Sequence, residues 1–94
     1  MDAQAILDEL VAILEKSHVV VRTEPMGGAA GGLCKVKDRM IFFVDRDAST
    51  TDNAVACAQA VRRLVDVESV YLRPGVREFL ESHAPAIDGE TPSG

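Results

Sequence analysis

The sequence predicts an α+β fold. We expect a small three- to four-stranded, mostly antiparallel sheet with two main helices on one face and a short C-terminal helix. Three observations lead there. Apolar residues recur at helical spacing in residues 3–14, 54–65 and 76–80. Between the first two of these lie runs that are β-branched or alternate at strand spacing. Polar, Gly- or Pro-containing breaks separate the runs, in the order helix, three strands, helix, extended segment, short helix, and such an order packs as helices on a sheet.

Asp2 caps the first helix, and Ala3, Ile6, Leu7, Leu10, Val11, Ile13 and Leu14 give it one broad apolar face as far as about Ser17. Lys16 and His18 stand near its end, where the helix dipole favours positive charge. The β-branched run at 19–24 reads as a strand ended by Pro25. A glycine loop follows at 25–32. In the next strand, 33–37, alternation sets Cys34 and Val36 on a buried face and Lys35 and Lys37 on a wet one. Asp38-Arg39 connects it to "MIFFVD", 40–45, whose apolar content suits the centre of the sheet, and the two strands form a hairpin. In "DRDASTTD", Ser49 with Asp52 resembles a capping box, with Thr50 or Thr51 as an alternative cap, for a helix from about Thr51 to Val65, with Ala54, Cys57, Ala58, Val61, Leu64 and Val65 on its inner face. Small residues near the start of that helix allow close approach to the sheet. Val70, Tyr71 and Leu72 form either a short edge strand or an extended packed segment. Pro74 opens a short helix with Val76, Phe79 and Leu80 inwards. Residues 1–83 make a single domain, and "APAIDGETPSG", 84–94, reads as a disordered tail.

Ninety-four residues bury one modest core. Its aromatics are Phe42, Phe43, Phe79 and Tyr71, with no Trp, so that core is mainly aliphatic. The net charge of -5, with the basic residues scattered, argues against a nucleic-acid partner. No apolar run reaches the roughly 18 residues of a membrane span. The start, "MDAQAILDEL", is acidic and lacks the basic region of a secretory signal, so a cytoplasmic location is expected. Cys34 and Cys57 fit a reducing compartment.

The stretch "EPMGGAAGGLCKV" holds the candidate sites. Gly27, Gly28, Gly31 and Gly32 are candidate ligand-binding residues on a loop that moves over a partner or ligand. The loop lacks the Lys-Ser/Thr of a phosphate-binding loop and leads into a strand rather than a helix, so its plainer role is to supply positive φ angles. Cys34 is a candidate nucleophile with His18 as its base. Its plainer role is a small buried hydrophobe. Cys57, on the apolar helix face, belongs to the core. Asp45, Asp47 and Asp52 resemble a calcium loop but lack its central Gly and terminal Glu, and read as a capped, solvated loop. No metal and no cofactor is expected.

The run from Gly31, Gly32 and Cys34 to Tyr71, Leu72, Pro74, Val76, Arg77 and Glu78 resembles a group of short uncharacterised bacterial proteins, over roughly residues 5–83. That resemblance implies no catalytic residues. The element order is also similar to the core of zincin-like metallopeptidases, whose helix after the last strand carries His-Glu-x-x-His. The helix here, "DNAVACAQAVRRL", has neither residue, so this similarity implies a metal-free relative. The expected function is a non-catalytic protein-interaction or regulatory module, binding a partner chain by strand addition or associating with itself. The alternatives are a small thiol-dependent enzyme using Cys34 with His18, and a small-ligand domain using the glycine loop.

Overall fold

The computed structural model describes residues 1–83; the expected tail lies outside the described residues. Helix α1, Ala3–Lys16, begins where the Asp2 carboxylate accepts a hydrogen bond from the Ala5 amide. Strands β1, Val20–Glu24, β2, Gly32–Val36, and β3, Arg39–Asp45, follow, then α2, Thr50–Leu64. Ser49 caps α2 through its hydroxyl oxygen, which accepts from the Asp52 amide. A single 3-10 turn, Val67–Ser69, and α3, Pro74–Ser82, complete the described chain, with Pro74 in the first turn of α3.

The sheet is three-stranded and mixed, in the order β1-β3-β2. Val20 to Glu24 of β1 run parallel to Ile41 to Asp45 of β3. Gly32 to Val36 of β2 run antiparallel to Phe43 to Arg39. Three strands is the lower of the two numbers expected, but the sheet is mixed rather than mostly antiparallel. β1 and β2 do not pair, because the strand that follows them in sequence fills the slot between them. A fourth strand at 70–72 is not formed; Leu72 is instead buried as part of an extended segment. The hairpin turn is Lys37-Asp38 rather than Asp38-Arg39, since Val36 pairs with Arg39, and Lys37 takes a positive φ of 57°.

Both long helices lie on one face of the sheet. α1 packs over β1, α2 over β3 and β2, and the most extensive inter-element packing is α1 against α2. The small side chains of α2 (Ala54, Cys57, Ala58 and Ala60, all buried) therefore serve helix–helix approach as much as approach to the sheet. Phe42 is the sheet's central plug, fully buried beneath Leu10, Leu14 and Val61 in the same core. Val21, Leu33, Met40 and Val44 share that face and pack against the core from the rim. α3 closes one side through Val76 and Leu80.

Candidate functional site

The chain must cross from the end of β1 to the far edge of the sheet, and residues 25–31 do so over the C-terminal end of β3. Asp45, the last residue of β3, sits beneath this crossing with no exposed surface. Its Oδ1 accepts hydrogen bonds from the amides of Met26 and Asp47, each at 2.9 Å. Its Oδ2 accepts from Gly28 at 2.9 Å and Ala30 at 3.1 Å. The Asp47 carboxylate takes the Gly27 amide at 3.0 Å. Positive φ at Gly27, Gly28 and Ala30 (86°, 91° and 66°) helps turn these amides inwards. The loop is thus wrapped around a carboxylate of its own chain.

Asn53 fixes Asp45 from the other side. Its Oδ1 accepts from the Asp45 amide at 2.9 Å, and its Nδ2 donates to the Asp45 carbonyl at 2.8 Å and the Ser49 carbonyl at 3.2 Å. This buried amide joins the end of β3 to the first turn of α2. Burial raises the Asp45 carboxyl pKa, and the hydrogen bonds from Asp47, Met26, Gly28 and Ala30 outweigh it, so the group is held below the ordinary carboxylate value. With both oxygens doubly engaged and no surface, Asp45 has no lone pair directed at a substrate. It is a structural anion.

Each residue singled out in the sequence can now be placed. Gly27 and Gly28 donate their amides to Asp47 and Asp45, so these donors are not free for a phosphate. Gly31 is where the crossing chain presses on β3, and a Cβ there would collide with the Phe43 carbonyl. Gly32 is the first residue of β2, with open space around its missing Cβ. Cys34 is exposed, which corrects its reading as a buried hydrophobe. Alternation gives two faces but not which one the helices cover; pairing of Leu33 with Phe42 turns Leu33 inwards and Cys34 outwards. His18 occupies the turn between α1 and β1 with φ of 69°. β3 stands between β1 and β2, so at ordinary strand spacing the two outer strands are about 10 Å apart, and Cys34 and His18 are not brought together. Cys57 is buried among the helices, and burial pushes its thiol up to about 12. Among the described residues, no group of three or more His, Cys, Asp and Glu is placed to hold a metal. No described helix is long and apolar enough to cross a membrane.

What alternation did not reveal is the second face of the sheet. Val20, Ile41 and Cys34 form one row across it, and Arg22, Phe43 and Gly32 the next, with Val36 opposite Arg39 at one end. None of these side chains joins the core, and no helix among the described residues covers them. Val20 and Val36 are 36% and 46% exposed. Arg22 and Glu24 pair along the β1 edge at 2.9 Å. A separate groove of about 470 Å³ lies between α1 and the segment before α3, floored by Ala12, Ile13, Val65 and Val70, with Tyr71 83% exposed at its lip. Cys34, His18 and the glycine loop lie outside it, while Asp8 and Glu9 of α1 line it. Comparison with protein families, curated proteins and solved structures yields no match.

Proposed function

We propose that the protein is a non-catalytic interaction module that docks another protein on the helix-free face of its sheet. The observation that carries this reading is the one-sided sheet. Val21, Leu33, Met40, Phe42 and Val44 build the core from one face, while the other face presents Val20, Ile41, Phe43, Cys34 and Val36, over which no helix among the described residues packs. The polar interior agrees. Its buried carboxylate is spent on the protein's own backbone, and the Cys34 thiol lies on β2 while His18 lies in the turn leading into β1, across β3. A cytoplasmic location and membership of the group of short bacterial proteins belong to the same proposal.

The test is co-purification from the native host with the wild-type chain and with Val20→Glu, whose side chain lies on the open face outside the core. The expected result is a stoichiometric partner held by the wild type and lost by the variant, with both giving the same far-UV circular dichroism. A wild-type protein that returns no stoichiometric partner and sediments as a monodisperse monomer would overturn the reading.

A further inference from the structure

We infer that the partner is an extended protein segment of alternating apolar and acidic residues, added as a fourth strand along the outer edge of β2. This rests on the interaction reading above and names the edge and the chemistry. Among the described residues β2 and β1 are the two edge strands, each hydrogen-bonded to β3 on one side only. An edge strand leaves a row of backbone donors and acceptors unpaired, which is a template for another chain.

Charge separates the two edges. On β1, Arg22 and Glu24 neutralise one another. The β2–β3 hairpin, Cys34 to Arg39, carries Lys35, Lys37 and Arg39 against the single acid Asp38, a local excess of two positive charges on a chain of net charge -5. Among the described residues none of these four side chains is in a salt bridge. An acidic segment is therefore drawn to this edge in preference to the other, and the acidic remainder of the surface repels it elsewhere.

The pleat sets the pattern of the segment. Cys34 and Val36 point to the open face, and Lys35 to the helix side, where it remains exposed. A strand laid beside β2 presents alternate residues to the same two faces. Its apolar residues then lie next to Cys34 and Val36 and extend the apolar row formed with Ile41. Its acids lie next to Lys35 and near Lys37. Cross-strand pairs of these kinds are what stabilise neighbouring strands. Gly32 at the start of β2 leaves room for a bulky apolar side chain of the incoming strand, since nothing lies within 4 Å of its Cβ position.

The experiment uses the whole chain and two fluorescein-labelled probes, a seven-residue Glu-Val alternating peptide and its Lys-Val counterpart, with hydrogen exchange as the map. The acidic peptide is expected to bind at least tenfold tighter than the basic one. It should weaken at least tenfold in Lys35→Glu/Lys37→Glu, and should slow exchange of β2 amides but not of β1 amides. Equal binding of the two peptides, protection at β1 instead, or displacement of the acidic peptide by a single-stranded RNA oligonucleotide would each overturn the proposal, the last by assigning the basic hairpin to nucleic acid. Failure here is distinguishable from failure of the broader reading. If the host partner is lost with Val20→Glu yet kept by Lys35→Glu/Lys37→Glu, the open face is a docking surface and the β2 edge is not.

Discussion

Asp45 shows how much of this fold hangs on one side chain. An anion without exposed surface is tolerated because four backbone amides replace its water. In Asp45→Asn an amide group takes the place of one acceptor oxygen and faces N–H donors, so two of the four bonds are lost. The amides of Met26, Gly28 and Ala30 are expected to exchange faster than in the wild type, and more so than those of α1. The same residue sets an acid limit. Its folded pKa lies below that of the unfolded chain, about 3.9, so its contribution is fully present above that pH. The contribution falls away as the pH drops through the folded value. The urea midpoint of the wild type should therefore decline below about pH 4, and that decline should be shallower in Asp45→Asn; equal slopes in the two proteins would dismiss the assignment. The glycines divide in a related way. Gly31→Ala places a methyl against the Phe43 carbonyl and should cost about 3 kcal/mol, whereas Gly32→Ala enters open space and should change stability by about 0.5 kcal/mol or less, read from chemical denaturation.

At the scale of elements, the helices were legible because their evidence is local. Asp2 and Ser49 are N-caps, Pro74 lies in the first turn of α3, and the apolar periods of α1 and α2 place most of the buried residues, but Leu64, read as inward, is exposed at the end of α2, and Asn53 and Ala60 are buried. The strands were legible to within a residue or so, but their pairing was not. Parallel pairing of β1 with β3 depends on a crossing loop whose path is set by Asp45, 15 to 19 positions away from the amides it holds. Asp45 was visible as the polar end of an apolar strand, yet an aspartate before a capped helix looks the same whether it is solvated or wrapped. The face of β2 was ambiguous for the same reason, and Cys34 changed sides as a result. Two measurements probe these junctions. Asn53→Ala unpairs the Asp45 amide and carbonyl together and should destabilise the fold by about 2 to 3 kcal/mol, seen as a lower denaturation midpoint. Timed alkylation of the native protein with mass-spectrometric mapping should label Cys34 first and leave Cys57 untouched until unfolding, because Cys57 is buried and its thiol is held protonated. A Cys34 that labels no faster than Cys57 would place it back inside.

For the molecule as a whole, the governing feature is asymmetry. Antiparallel and mixed sheets can leave one face to solvent, but that face is then ordinarily polar. Here the adjacent residues Phe42 and Phe43 point in opposite directions from the central strand, one into a core closed by α1 and α2, the other to the face no described helix covers. The two aromatic residues should therefore have very different energetic weight in the isolated protein. Phe42→Ala removes the largest fully buried side chain and leaves a cavity that packed helices cannot refill, at a cost of about 3 to 5 kcal/mol. Phe43→Ala deletes a partly covered ring from the other face of the central strand and should cost less than half of that. Equilibrium denaturation of the two variants measures the contrast directly. The one-sided architecture requires inequality: comparable losses would mean that Phe43 is as embedded as Phe42, and the sheet would then have no free face to offer. If the inequality holds, the stability of the free chain does not account for an aromatic residue at position 43. Under the docking role proposed above, position 43 is buried against another protein, and the same variant should then weaken association by more than it weakens the fold.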